Sequence, residues 1–210
     1  MEKLIIKNVN KKIKDKQILS DINLEFESGK IYGIVGKNGS GKTMLFRAIL
    51  GLIRTDSGSI YIDNEEMLVK DSFLPSASAT IENMGLYPEL TGFQNLKYLA
   101  RIRNKISNDD IYNAIQRVGL DPHDKRAFHK YSLGMKQRII LAQAFMEKTD
   151  IILLDEPTNG IDEEGVKLIR KIILEEKERG ALVIIASHNS DDIDILCDKV
   201  YHMSEGRITC

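Results

Sequence analysis

The run Gly36-Lys37-Asn38-Gly39-Ser40-Gly41-Lys42-Thr43 places a glycine, four residues, then Gly-Lys-Thr. That spacing suits a loop that wraps a triphosphate. Phosphate oxygens need several backbone N–H donors converging on them. Glycines allow this because they lack a side chain and tolerate positive φ. Lys42 brings a cation to the terminal phosphates, and the Thr43 hydroxyl can ligate Mg²⁺. These parts must act together. A helix N-terminus alone contributes about 0.3–1 kcal/mol when exposed, whereas millimolar to micromolar binding needs roughly 4–8 kcal/mol. A second chemical pair, Asp155-Glu156, closes the apolar run Ile151–Leu154. Asp155 suits holding Mg²⁺ through water, and Glu156 suits orienting or deprotonating an attacking water.

Both sets need strands and helices to present them. Ile31–Val35 reads as a buried strand running into the glycine loop, with a helix from about Lys42 to Leu50 stopped by Gly51. Ile151–Leu154 and Ala181–Ala186 are continuous apolar runs, as expected of central parallel strands buried on both faces. Ligands of such sheets bind beyond the C-terminal strand ends, where Asp155 and Glu156 fall. Val166, Ile169, Ile172 and Ile173 share one face of a helix ending at Gly180. Toward the N-terminus, Leu4–Ile6 and the alternating Ile22, Leu24 and Phe26 predict strands. Ser59–Ile62 predicts another after a turn at Asp56-Ser57-Gly58, and Val200–Met203 and Arg207–Thr209 close the chain. Residues 83–147 read as helical. Thr91 starts a helix with capping-box spacing to Gln94, and Ser132 caps another running to about Glu147. The fold class is α/β: a nucleotide-binding core at 1–82 and 148–210 with an N-terminal antiparallel β subdomain, and an inserted helical subdomain at 83–147.

Composition narrows the function. With 210 residues and 42% hydrophobic content the chain can bury a full core. A net charge of −1 gives no sign of nucleic-acid binding, which usually needs a basic face. The basic run Lys11, Lys12, Lys14, Lys16 predicts a solvated hairpin turn. The two cysteines, Cys197 and Cys210, form no disulfide framework and fit a reducing cytoplasm. No apolar run approaches the roughly 20 residues a membrane helix needs, so action at a membrane requires another chain to span it.

Two further motifs complete a series. Tyr131-Ser132-Leu133-Gly134-Met135-Lys136-Gln137-Arg138 precedes Asp155-Glu156-Pro157-Thr158-Asn159-Gly160-Ile161-Asp162, and Ser187-His188 follows the next strand. With the glycine loop, these resemble in order the P-loop, signature, Walker B with D-loop, and switch histidine of the ATP-binding cassette family. The resemblance spans essentially the whole chain. It implies a P-loop ATPase that pairs head to tail with a second cassette, in a homodimer or heterodimer. ATP on Gly36–Thr43 of one subunit would meet Ser132 and the Gly134 N–H of the other. Glu156 and His188 would serve hydrolysis, and Asp162 would couple the two sites. The partner would be an integral membrane permease, placing the chain in the cytoplasm on the inner membrane face.

The sequence departs from the family pattern at several positions. The aromatic residue that stacks on adenine falls on Ile13, which predicts a looser hold on the base. The glutamine beside Mg²⁺ falls on Glu82, a harder ligand that joins Asp155 and Thr43 at the metal and Glu156 at the reaction. Leu133 replaces a glycine of the signature. Glu82, Tyr87-Pro88-Glu89-Leu90-Thr91 and the signature variant resemble the branch that handles bacitracin, lantibiotics and related peptides. The function implied is powering export of, or immunity to, such a substrate. The alternatives are a soluble mechanical ATPase of the same family and a nucleotide-dependent switch with little hydrolysis. Intact Lys42, Asp155, Glu156 and His188 argue against the switch.

Overall fold

The computed structural model describes residues 1–63, 65–66, 76–81 and 85–209. Its elements in chain order are β1 (Lys3–Ile13), β2 (Lys16–Glu27), β3 (Ile31–Val35), α1 (Lys42–Ile49), β4 (Ser57–Ile62), β5 (Glu65–Glu66) and β6 (Ala77–Thr80). There follow α2 (Gly92–Arg103), α3 (Asn108–Arg117), a 3-10 turn (Phe128–Lys130), α4 (Leu133–Phe145), β7 (Ile151–Asp155), α5 (Glu163–Glu178), β8 (Leu182–Ala186), α6 (Ser190–Leu196), β9 (Lys199–Ser204) and β10 (Arg207–Thr209).

The strands form two sheets. One has the order β2-β1-β4-β5 and is antiparallel; the other has the order β10-β9-β3-β8-β7-β6. In the second sheet β9, β3, β8, β7 and β6 run parallel, and β10 is antiparallel to β9. Parallel strands need covered faces, because each alternate side chain must leave water. Ile31, Ile152, Leu154, Val183 and Ile185 point to one side, into a core shared with α2, α3, α4 and α5. Tyr32, Ile34, Ile151, Leu153, Leu182 and Ile184 point to the other side, against α1 and the inner face of the antiparallel sheet. Each fully buried aliphatic side chain contributes about 1.5–3 kcal/mol of transfer free energy. The apolar runs that identify these strands therefore also anchor them.

The β1–β2 hairpin is longer than the alternation in the sequence suggests. Leu4, Ile6 and Val9 face the core, with a register shift between Ile6 and Val9. Asn8 and Asp21 adopt φ values of 51° and 49°, and their side chains meet at 3.2 Å. Such bulges insert a residue and reset the period of two, which hides one continuous strand from a strict alternation rule. Within the basic run only Lys14 and Asp15 form the turn. Lys11 lies in β1 and pairs with Asp56 at 2.8 Å rather than being simply solvated. The expected turn at Asp56-Ser57-Gly58 is shorter too, since Ser57 already belongs to β4.

The described residues from 85 to 147 are less helical than expected. Among the described residues of that stretch the helices are α2, α3, the 3-10 turn and α4, joined by extended and turn segments. Both predicted caps hold: Thr91 forms a capping box with Gln94 at α2, and Ser132 accepts a bond from the Met135 N–H at α4. Strand β6 and helices α3 and α6 carry no signal strong enough to separate them in the sequence. No described helix is long and apolar enough to cross a membrane.

Candidate functional site

Strands β3, β8 and β7 lie side by side. Ile34 of β3 and Asp155 of β7 are both in register with Ala186 of β8. Their C-terminal ends therefore release the glycine loop, Ser187-His188 and Asp155-Glu156 at one edge of the sheet. This brings together three segments distant in sequence, since Thr43 Oγ1 donates to Asp155 Oδ2 at 2.7 Å and His188 Nδ1 meets Glu156 Oε1 at 2.7 Å.

The loop 36–43 folds back on itself. A Cβ at Gly36 would lie 2.3 Å from the Met203 carbonyl oxygen, so only glycine fits there. Gly39 and Gly41 have φ of 80° and 112°, left-handed values that other residues adopt at a cost. Ser40 N–H donates to the Lys37 carbonyl at 3.0 Å and Gly206 N–H to the Ser40 carbonyl at 2.8 Å. Lys42 is 6% exposed, and its ammonium donates to the carbonyls of Gly36 at 2.6 Å and Lys37 at 3.4 Å. Helix α1 starts at this lysine with no side-chain cap and no acid in its first turn. Its N–H groups and partial positive charge therefore face a site suited to an anion.

Glu156 holds a left-handed backbone, φ 48°. A non-glycine residue there carries strain of order 1–3 kcal/mol, which the surroundings must over-determine. Here the Glu156 N–H donates to the Ala186 carbonyl at 2.8 Å, and the Asn159 N–H donates back to the Glu156 carbonyl at 3.2 Å. The bend turns the Glu156 carboxylate toward His188 and Ser187, whose hydroxyl lies 3.5 Å from Oε2.

The signature residues sit elsewhere. Ser132 and Gly134 have their partners in their own helix and in the segment at Gly160-Ile161, where the Gly160 carbonyl would lie 3.0 Å from a Cβ on Gly134. Leu133 is 71% exposed beside them. Tyr131 anchors the turn before α4; burial pushes its phenol above its ordinary range, so it stays neutral. Asp162 pairs with Arg138 of α4, and Gln137 donates to the carbonyls of Glu156 and Pro157, each at 3.3 Å. Sequence reasoning passed over Gln137 and Arg138 as parts of a motif without roles of their own. They tie the signature helix to the loop after β7. Ile13 lies at the hairpin tip opposite Lys16 and is 43% exposed. Glu82 lies outside the described residues.

A phosphate-wrapping loop between a parallel strand and a helix, with a hydroxyl–carboxylate pair and a glutamate beneath it, defines a P-loop nucleoside triphosphatase. The ABC transporter family matches residues 19–159. An ABC transporter ATP-binding protein of Bacillus subtilis, YybJ, is 50% identical over 96% of this chain and 92% of its own length. The lantibiotic transport ATP-binding protein SrtF of Streptococcus pyogenes is 34% identical over 98% of this chain and 88% of its own. The bacitracin transport ATP-binding protein BcrA of Enterococcus faecalis is 34% identical over 96% of this chain and 66% of its own. The dimeric structure of MJ0796, a bacterial ABC transporter cassette, superposes with a TM-score of 0.89 at 21% identity over 99% of this chain and 97% of that one, a likeness of fold. The chain belongs to the ABC transporter family as an ATP-binding subunit, and it is an ATPase that powers transport.

Proposed function

We propose that this cassette drives export of, or immunity to, a peptide antibiotic or similar amphipathic compound through a separate membrane permease, at the inner face of the membrane. The observation that carries the catalytic reading is the adjacency of Thr43–Asp155 and Glu156–His188 at the strand ends beside the glycine loop. The cargo class draws its support from SrtF and BcrA, whose lengths this chain covers to 88% and 66%.

In this reading the triphosphate lies along Gly36–Thr43, and Lys42 exchanges the Gly36 and Lys37 carbonyls for phosphate oxygens. Thr43 and Asp155 fit Mg²⁺: both offer hard oxygen atoms, and Mg²⁺ characteristically takes one or two protein oxygens and fills its octahedron with phosphate and water. When bound, the ion neutralises charge on the phosphates. Glu156 orients the attacking water and accepts its proton, and His188 holds the Glu156 carboxylate and faces the terminal phosphate. Ser132 and Gly134, at the N-terminal end of α4, complete the ATP site of a second cassette. Asp162, bonded to Arg138 on the signature helix, passes the state of one site to the other. Residues 83–147 act as the helical subdomain between the core at 1–82 and 148–210. Ile13 borders adenine, and Glu82 joins the metal environment.

A cleft of about 430 Å³ between the core and α2, lined by Leu52, Ala79, Leu99 and Ile102, suits a cytoplasmic segment of the permease. Leu52 and Ile102 expose large apolar surface there, as interaction sites do. The test is to express the chain with its membrane partner in cells sensitive to a peptide antibiotic. Raised tolerance that disappears in Glu156→Gln is expected. Unchanged tolerance alongside full ATP turnover would refute the cargo class and leave the ATPase standing.

A further inference from the structure

Asp192, in the first turn of α6, is 0% exposed. A bare carboxylate that deep is strongly unfavourable unless partnered, and its two oxygens are both occupied. Oδ1 receives Arg170 Nε at 2.8 Å and Nη2 at 2.7 Å, and Oδ2 receives the Thr158 hydroxyl. The three residues come from three segments. Thr158 lies two positions after Glu156, Asp192 four positions after His188, and Arg170 two turns into α5, the helix that Asp162 begins.

Both segments that flank the contact are stiff. Pro157, with its fixed φ, joins Glu156 to Thr158, and the Asn159-to-Glu156 hydrogen bond closes that turn. On the other side, the Asn189 N–H donates to Ser187 Oγ at 3.1 Å, and the Asn189 side chain accepts from the Asp191 N–H at 3.0 Å. The His188 side chain is itself 65% exposed, so packing does little to hold the ring. Its placement against Glu156 depends on how the two segments are locked together. The Thr158–Asp192 contact is a second cross-link parallel to the Glu156–His188 pair.

We propose that Asp192 is a positioning residue of the ATPase, its buried carboxylate clamping the Thr158 and His188 segments so that His188 meets Glu156. The inference rests on the reading above that Glu156 and His188 serve hydrolysis. Misplacement of reacting groups by about 1 Å can lower a rate by about a hundredfold, and loss of one locking hydrogen bond falls below that.

The decisive variant is Thr158→Val, which removes the hydroxyl and leaves the Arg170–Asp192 pair in place. Steady-state ATP turnover of the purified chain is expected to show kcat reduced about tenfold with KM within about twofold of the parent, and Thr158→Ser is expected to restore kcat. In a His188→Ala background, Thr158→Val is expected to lower kcat by less than about twofold further, because contacts acting through one residue are not additive. Asp192→Asn is expected to reproduce the same pattern; should it fail to fold, the Thr158 pair carries the test. Unchanged kcat in Thr158→Val, or a full tenfold loss on top of His188→Ala, overturns the proposal while leaving His188 in its role. Unchanged kcat in His188→Ala alone overturns the reading of the site and this inference with it.

Discussion

Helices α1 and α2 begin in opposite ways. At α2 the Gln94 N–H donates to Thr91 Oγ1 at 3.2 Å, and the Thr91 N–H donates to Gln94 Oε1 at 2.9 Å. Helix α3 repeats the device with Ser107 and Asp110. Each box satisfies orphan donors of the first turn from within the chain. Helix α1 starts from Gly41 with φ 112° and no side-chain cap. By local rules it is the poorer start, since glycine is entropically costly and its first N–H groups go unmet. The contrast separates scaffold from site: the boxed helices α2 and α3 hold the fold, and α1, with no acid in its first turn, keeps its donors for a phosphate, whereas α5, also without a side-chain cap, carries Glu163 and Glu164 there. Helix α4 stands between them, capped by Ser132 yet carrying the exposed Leu133 at its end.

Substitutions can break this contrast, and their expected effects descend in size. Glu156→Gln removes the base without touching α1; kcat for ATP is expected to fall about 10²–10⁴-fold with ATP affinity kept, measured by turnover and equilibrium binding. Lys42→Ala strips the cation from the open end; ATP affinity is expected to fall about a hundredfold, as when a desolvated charge partner is truncated. Thermal shift reads the same loss, because ATP at a hundred times the parent's Kd stabilises the parent by about 2.7 kcal/mol and a hundredfold weaker variant by only about 0.4 kcal/mol. Ile13→Tyr adds a stacking face at the hairpin tip and is expected to tighten ATP about tenfold, stacking being worth roughly 1–3 kcal/mol per base; equal affinity would remove Ile13 from the base site. Ser132→Ala is expected to lower both stability, by about 1 kcal/mol, and turnover. Thr91→Ala is expected to cost the same about 1 kcal/mol in denaturant unfolding with kcat unchanged. If Thr91→Ala lowered turnover as much as Ser132→Ala, the division between closed and open helix ends would fail.

Much of this was legible in the residues. The loop 36–43, the pair Asp155-Glu156 and the two caps are local signals, since each depends on residues within a few positions of one another. The buried runs of β7 and β8 were legible because strands covered on both faces must be apolar throughout. The hairpin was partly hidden, because the left-handed Asn8 and Asp21 shift its period. Helix α6 and its Asp192 were hidden more fully. Asp191, Asp192 and Asp194 look alike in the sequence, and only the packing of α6 on α5 decides that Asp192 is the buried one.

By itself the sequence determined the chemistry available and the order in which it comes: a phosphate loop, a signature, an acidic pair and a histidine. These are set by residue type and short spacing, which local backbone sterics and hydrogen bonding read directly. The tertiary structure alone decided which of those groups touch. Thr43 reaches Asp155 across 112 positions, Glu156 takes its left-handed bend against Ala186, and Arg170 and Thr158 select Asp192. Such contacts follow from the parallel order β3-β8-β7 and from the demand that each buried polar group find a partner, and short-range pattern in the chain encodes neither.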